Sequence, residues 1–400
     1  MATSHFWLSI SPVSRLASLK PTAVNAILAE IHQLQAQGRT AVSLMRGEPD
    51  FETPPHIILA AAKALQAGRT RYPNNRGEDG LRYAVGVKLK RDNGLEYDPR
   101  AEILVTTGAT LGIQTALTAL LEDGGEVLLP DPVYDAYHSP VTLAGGRVVP
   151  VPAAIENGRF ALRVSAIEAA LTPASRVLLL NTPWNPVGTV FREPELREIA
   201  DLIVDRKLTL VSDEIYEAIT YEGHRHRSPA ALGAAIRERT ILVNSLSKTY
   251  AMTGWRAGYC AGPAPIIDRM LLVLQQSSRG PATFVQDAAA EALLGPQEPV
   301  DEMRREYARR RKQVIDALAG IPGVQVLAPE GGFFAMVDIR GRGVPSDTAR
   351  RRLLTDSGVA VVHGAAYGPG GEGTLRVSFA SGGQTLTRGL ELLRAGLESL

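Results

Sequence analysis

The sequence has a single cysteine, Cys260, among its 400 residues. One cysteine cannot form an internal disulfide or a cysteine-rich zinc site, so both are excluded. The lone thiol favours a reducing compartment, and we expect a cytoplasmic protein that binds no metal. Long apolar runs are also missing, since runs such as 177–180 fall far short of the roughly 18 residues that a membrane-spanning helix needs. We therefore expect no membrane partner.

An excess of charge of one sign is missing too. The 43 Lys and Arg residues balance 42 Asp and Glu residues, which leaves a formal net charge of +1. No broad basic surface is available to bind a phosphate backbone, so nucleic acid is not expected as a partner. Hydrophobic residues at 45% and charged residues at 21% exclude a disordered or fibrous chain. A globular chain of this length is expected to form two domains.

Segments rich in valine, leucine and isoleucine recur between helical stretches, and each ends in small or polar residues. This pattern predicts an α/β fold, in which a large domain over residues 47–285 has a mostly parallel, doubly wound sheet. Residues 286–400 carry a long charged helix and short strands, which predict a smaller α+β domain. We expect residues 1–46 to pack against it. The strands of the large domain are predicted at EILVTTG, GEVLLPD, GRVVPV, RVLLLNTP, LTLVSDE, TILVNS and GYCAG.

Ligands of an open parallel sheet bind beyond the carboxyl ends of its strands, so the residues that follow each strand are the candidates for a site. Gly108, Ala109 and Thr110 follow the first predicted strand of the large domain and begin a helix. The free backbone N–H groups of a helix N-terminus, together with a hydroxyl, favour an anion such as phosphate. Small residues also occur where a turn simply has to close tightly, so this segment alone leaves both interpretations open.

Two further strand ends present polar side chains. The stretch NTPWNPVG at 181–188 predicts an extended, sharply turning backbone that holds Asn181 and Asn185 rigidly. Asp213 lies at the end of the strand LTLVS, where a desolvated carboxylate needs a cationic partner. The alternative for Asp213 is the N-cap of the next helix, and the residue alone does not decide between the two.

Lys248 follows the predicted strand TILVN in the segment Ser245-Leu246-Ser247-Lys248. Burial lowers the pKa of an ammonium group from its usual value of about 10.4, and the neutral amine is a nucleophile that can form a Schiff base. The alternative is an exposed lysine in a loop. Arg256 follows in the same region and is a second cation that could meet a phosphate.

Four motifs now stand in order along the chain. They are Asn-x-Pro-x-Asn-Pro-x-Gly at 181–188, Ser-Asp-Glu-Ile-Tyr at 212–216, Ser-x-Ser-Lys at 245–248 and Gly-Trp-Arg at 254–256. Together they resemble the fold-type I pyridoxal-phosphate enzymes, class I/II aminotransferases, and in particular the bacterial aspartate-type subgroup. The resemblance runs from about residue 20 to the C-terminus and includes residues 47–51, Tyr72, Tyr134 and Arg376.

The resemblance implies that pyridoxal 5′-phosphate is the cofactor. Lys248 would bind it covalently and then move a proton as a general base. Asp213 would pair with the pyridine nitrogen and keep it protonated. The other implied contacts are Asn185 and Tyr216 with the phenolate oxygen, Tyr134 with the ring face, and Ala109, Thr110, Ser245, Ser247 and Arg256 with the phosphate.

The resemblance also implies a homodimer with shared active sites, in which Tyr72 reaches the phosphate of the neighbouring subunit. Arg376 would bind the α-carboxylate of the substrate, assisted by Asn185 and the backbone of Gly47. The implied reaction is ping-pong transfer of an amino group between an α-amino acid and a 2-oxo acid. A β-lyase or a decarboxylase on the same fold is the alternative, because the sequence does not show which Cα bond is broken.

Three positions leave the substrate open. Thr110 stands where aspartate-specific members of the subgroup have a lysine for the distal carboxylate, which puts a preference for acidic substrates in doubt. Arg279 lies on a segment that approaches the partner's site in this family, and it would either supply that cation or form a salt bridge elsewhere. Trp184 stands where asparagine is common, and its ring beside the coenzyme would favour an apolar or aromatic amino donor.

Overall fold

The structure is a computed structural model that describes residues 17–400. Residues 1–16 of the predicted segment 1–46 lie outside the described residues. Among residues 17–400, none of the helices combines the length and the apolar character that crossing a membrane requires.

The described chain alternates strands and helices through most of its length. The strands are β1 (Val42–Ser43), β2 (Ile103–Thr106), β3 (Glu126–Asp131), β4 (Arg147–Pro152), β5 (Ala154–Glu156), β6 (Arg159–Ala161), β7 (Ser175–Asn181), β8 (Thr209–Asp213), β9 (Thr240–Ser245), β10 (Gly258–Ala261), β11 (Gln325–Leu327), β12 (Phe334–Asp338), β13 (Val359–Ala360), β14 (Val362–His363) and β15 (Thr374–Ser378). The α-helices are α1 (Ala23–Ala36), α2 (Pro55–Gln66), α3 (Asp79–Asn93), α4 (Ala109–Leu120), α5 (His138–Leu143), α6 (Val164–Ala170), α7 (Glu193–Asp205), α8 (Ala234–Arg237), α9 (Leu246–Thr249), α10 (Ala264–Ser277), α11 (Thr283–Leu294), α12 (Glu298–Leu318), α13 (Ser346–Asp356) and α14 (Gly383–Ser399).

The larger sheet has seven strands in the order β2-β10-β9-β8-β7-β3-β4. β10 is antiparallel to both of its neighbours, and the other adjacent pairs are parallel. Helices cover both faces, which is why the central strands are mostly buried and rich in apolar residues. In β9, for example, Leu242 packs with α2, α3 and α11, whereas Ile241 and Val243 pack with α4 and α10 on the opposite face. This architecture confirms the predicted α/β fold with a mostly parallel sheet.

The smaller sheet is antiparallel, in the order β11-β12-β15-β14. The described part of the N-terminal segment lies against it, because Ile27 and Ile31 of α1 pack with Leu354 of α13 and Val362 of β14. The predicted boundary between residues 285 and 286 falls inside α11, whose buried side chains pack with α2 and α3. The division of the chain into domains stays a prediction.

Candidate active site

A cavity of about 410 Å³ opens at the carboxyl ends of β7, β8 and β9. Because parallel strands end at the same edge of a sheet, their terminal residues converge there although they are far apart in the sequence. All the residues to which the resemblance gives a role in binding the coenzyme or the substrate α-carboxylate, except Tyr72, line this cavity. They are Gly47, Ala109, Thr110, Tyr134, Asn185, Asp213, Tyr216, Ser245, Ser247, Lys248, Arg256 and Arg376.

Lys248 enters the cavity from α9, which begins directly after β9. The Oγ atom of Ser245 caps this short helix by accepting a hydrogen bond from the backbone N–H of Ser247. The Lys248 Nζ atom donates to the backbone oxygen of Gly47 at 2.5 Å. Burial lowers the pKa of Lys248 to about 8, and the positive charge of Arg256 contributes in the same direction. A much larger fraction of this amine is therefore neutral at neutral pH than of an exposed lysine.

Asp213 ends β8 and is almost fully buried, with 4% of the residue exposed. Burial raises the pKa of its carboxyl group to about 6, although hydrogen bonds from Tyr137 and from the backbone of Ile215 oppose this shift. No basic side chain among residues 17–400 forms an ion pair with it. The sequence predicted a cationic partner for this carboxylate. A bound ligand would have to provide that cation.

Tyr137 is a site residue that the sequence reasoning missed. Its Oη atom donates to Oδ2 of Asp213 at 2.5 Å, and its ring meets the Tyr134 ring edge-on, with 5.4 Å between the centroids. Tyr134 precedes a single 3₁₀ turn over 135–137 and Tyr137 ends it, and both line the cavity. Their spacing of three residues was the signal that could have identified the second tyrosine.

Replacing Tyr137 with phenylalanine should move the acid limb of the pH–rate profile upwards. The hydroxyl hydrogen bond stabilises the ionised form of Asp213, so its loss raises the pKa of that carboxyl group and activity is lost at a higher pH. A hydrogen bond to a charged group predicts a shift of about one pH unit. Rates measured from pH 5 to 8 test this, with the exposed Tyr83→Phe as the control. An unmoved acid limb would contradict it.

Arg376 is a buried cation without a carboxylate partner among the described residues. It lies on β15 with 2% of the residue exposed, and its Cζ atom lies over the rings of Phe334 and Tyr367, 4.1 and 4.9 Å from their centroids. Its two Nη atoms donate to the backbone oxygen of Met45 at 2.9 Å and to Oδ1 of Asn185 at 3.3 Å. The Nε atom is buried and has no hydrogen-bond partner within residues 17–400. A ligand carboxylate would supply the missing charge and the missing acceptor.

The opposite end of the cavity can hold an anion. The N-terminus of α4 faces Arg256, whose Nη1 atom donates to the backbone oxygen of Thr253 at 2.9 Å. Gly108 precedes the helix with φ of +80°, and a Cβ atom there would lie 2.8 Å from Nη2 of Arg256. Only glycine therefore lets the guanidinium approach this helix N-terminus, where phosphate groups commonly bind.

Tyr72 lies apart from this cavity, with 82% of the residue exposed. The Arg279 guanidinium is stacked on its ring, 4.8 Å from the centroid. The resemblance implies that Tyr72 and Arg279 approach a partner subunit, and the two residues are neighbours on the surface of the chain. Neither of them lines the cavity of its own chain.

The expectation for Trp184 is wrong. Its ring is buried and stacks on Phe191, with 5.6 Å between the centroids, and its Nε1 atom donates to the backbone oxygen of Pro132 at 3.0 Å. It belongs to the apolar core under the turn and does not line the cavity. It therefore gives no indication of an apolar or aromatic donor.

Comparison with known proteins decides the family. The model of the family described as aminotransferase class I and II matches residues 39–391. The chain belongs to this family. It is an aminotransferase, a transferase that moves an amino group between an amino acid and an oxo acid, and the lyase and decarboxylase alternatives are not favoured.

Individual relatives of this aminotransferase cover nearly its whole length. It is 40% identical to the aspartate aminotransferase of Pyrococcus abyssi over 94% of this chain and 96% of that protein. It is also 40% identical to aromatic-amino-acid aminotransferase 2 of Thermococcus litoralis, over 89% of this chain and 92% of that protein. The crystal structure of the aspartate aminotransferase of Rhizobium meliloti matches with a TM-score of 0.93 and 34% identity, over 97% of this chain and 99% of that one.

Proposed function

We propose that this aminotransferase uses pyridoxal 5′-phosphate and transfers amino groups between an α-amino acid and a 2-oxo acid in two half-reactions. The observation that carries the proposal is that Lys248, Asp213 and Arg376 line one cavity. An amine of lowered pKa, a buried carboxylate and an unpaired buried guanidinium are the three groups that this chemistry requires.

The residues of the cavity fit the coenzyme. Asp213 offers a buried carboxylate that forms no ion pair within residues 17–400, which suits a protonated pyridine nitrogen. Arg256 and the N-terminus of α4 offer donors for a phosphate. When bound, pyridoxal phosphate supplies an electron sink that stabilises negative charge at the substrate Cα atom. We assign its ring face to Tyr134, its phenolate oxygen to Asn185 and Tyr216, and its phosphate to Ala109, Thr110, Ser245, Ser247 and Arg256.

We assign the proton transfers to Lys248. Its neutral form would hold the coenzyme covalently, and its Nζ atom would accept the proton from the substrate Cα atom. The backbone oxygen of Gly47, which accepts a hydrogen bond from Nζ, supports this position for the amine. A pKa of about 8 keeps this base close to the pH at which it works.

We assign the substrate α-carboxylate to Arg376. Its planar guanidinium is held by stacking on Phe334 and Tyr367 and by its bonds to Met45 and Asn185, so it is oriented before a ligand arrives. The free Nε atom is available to a carboxylate oxygen. Fixing this end of the substrate orients the Cα–H bond relative to Lys248.

We also propose a homodimer in the cytoplasm. The exposure of Tyr72, with Arg279 stacked on it, supports the proposal that both residues contact a partner subunit, Tyr72 at the coenzyme phosphate. The sole cysteine, Cys260, is a buried free thiol, which supports a reducing compartment.

The two half-reactions can be tested separately. The coenzyme-loaded enzyme should release one equivalent of 2-oxo acid per site from an amino donor alone. After the donor has been removed, it should convert an added 2-oxo acid into the corresponding amino acid with the same stoichiometry. Release of carbon dioxide, or of ammonia with pyruvate, without this stored amino group would contradict the proposal and favour a decarboxylase or a lyase.

A further inference from the structure

Asp135 is an acidic residue in the cavity wall to which the reaction gives no role. It begins the 3₁₀ turn that follows Tyr134. Its Oδ2 atom accepts a hydrogen bond of 2.7 Å from the backbone N–H of Ala23, the first residue of α1. The carboxylate thereby satisfies one of the free N–H groups of this helix and lies at the positive end of its dipole.

Within the described part of the chain, no opposite side-chain charge pairs with Asp135. No Lys, Arg or His forms an ion pair with it within residues 17–400. His138 is nearby, but burial lowers the pKa of its imidazole, which is therefore neutral at neutral pH. The residues of α1 and its N-cap that share the cavity wall, Thr22, Val24 and Asn25, are uncharged.

Asp135 and Arg376 line the same cavity, and their opposite charges act on the same two tyrosines. Burial raises the pKa of Tyr134, the charge of Asp135 raises it further and that of Arg376 lowers it. Burial likewise raises the pKa of Tyr367, with Arg376 opposing and Asp135 reinforcing the shift. Because Asp135 and Arg376 line one cavity, a substrate bound to Arg376 through its α-carboxylate is exposed to the negative charge of Asp135.

The N-terminus of a helix would ordinarily attract the distal carboxylate of a dicarboxylic substrate. Here the chain's own carboxylate already occupies that position at α1. Thr110, which also lines the cavity, is uncharged. A second carboxylate of the substrate would therefore meet the negative charge of Asp135.

We propose that Asp135 is a specificity-determining residue that selects against amino donors with a negatively charged side chain and favours uncharged or cationic ones. This inference rests on the proposed function, because it takes Arg376 as the site of the α-carboxylate. It deepens that function by naming the class of donor.

The variant Asp135→Asn tests the charge alone, because the amide oxygen can still accept the hydrogen bond from Ala23. Aspartate and asparagine, and likewise glutamate and glutamine, are donors of nearly equal shape that differ in charge. The wild-type enzyme should have the higher kcat/KM with the amide of each pair. In Asp135→Asn the ratio of acid to amide should rise by about 10- to 100-fold, because a like charge is removed from the wall of the cavity.

A binding measurement separates this effect from catalysis. By calorimetry, succinate should bind the coenzyme-loaded Asp135→Asn variant more tightly than the wild type by a similar factor, whereas butyrate should bind both alike. Glu302→Gln, which removes an equal charge from the exposed face of α12, should leave both ligands unchanged.

The outcomes are distinct from a failure of the proposed function. If no amino acid donates its amino group to the wild type, the proposed function fails. If amino groups are transferred but the wild type prefers aspartate to asparagine, or if the ratio is unchanged in Asp135→Asn, the inference about Asp135 is overturned while the function stands. If kcat/KM in Asp135→Asn falls equally with acids and amides, the inference is also overturned, since Asp135 would then only hold α1 in place.

Discussion

Replacing Lys248 with alanine is expected to lower kcat for amino-group transfer by at least about 10⁴-fold. The variant loses both the nucleophile that binds the coenzyme covalently and the base that accepts the Cα proton. Burial makes this lysine suited to both tasks, because it lowers the pKa of Lys248 to about 8. Steady-state rates and the visible absorbance of the covalently bound coenzyme measure the two losses independently.

Two additional measurements sharpen this result. Borohydride reduction followed by peptide mapping should attach the coenzyme to Lys248 in the wild type and to no peptide in Lys248→Ala. Added small amines should restore part of the proton transfer, since they replace the base but not the covalent link. Lys312→Ala, which removes an exposed lysine of α12, should behave as the wild type. Covalent attachment at another lysine would contradict the assignment.

The architecture and most of the cavity lining could be predicted from the sequence. Asn181, Asp213 and Ser245 each end an apolar strand, and parallel strands ending at one edge of a sheet leave little freedom in where those residues lie. Arg376 was predicted for a different reason, because the resemblance to class I/II aminotransferases implies that it binds the α-carboxylate of the substrate. A bound ligand would have to provide the carboxylate that pairs with Arg376. The roles of all these residues stay predictions.

Side-chain direction within turns was not predictable in the same way. Trp184 and Asn185 are adjacent in one turn, yet the indole packs into the core while Asn185 lines the cavity. Asp135 was overlooked because its significance arises from α1, a helix that is distant in the sequence and is brought to the cavity only by packing on the small sheet. Contacts between such distant segments depend on tertiary packing, which has no local signal in the sequence.

Replacing Asp213 with asparagine is expected to lower kcat by about 10³-fold. The asparagine keeps the shape of the side chain and can accept a hydrogen bond from Tyr137, but it carries no negative charge to hold a proton on the pyridine nitrogen. The cost is large because the carboxylate is buried, where an oriented charge acts with little screening by water. Single-turnover rates with one amino donor measure the loss at the chemical step.

The pH dependence distinguishes loss of this charge from a general disturbance of the cavity. In the unloaded protein burial raises the pKa of Asp213 to about 6, and a protonated pyridine nitrogen beside it would lower that value. The carboxylate works when ionised, so activity of the wild type should fall as the pH drops through its pKa. Asp213→Asn should lack this acid limb at every pH tested, whereas Asp201→Asn, on the exposed face of α7, should retain it. An acid limb that persists in Asp213→Asn would assign the titration to another group and remove Asp213 from its proposed role.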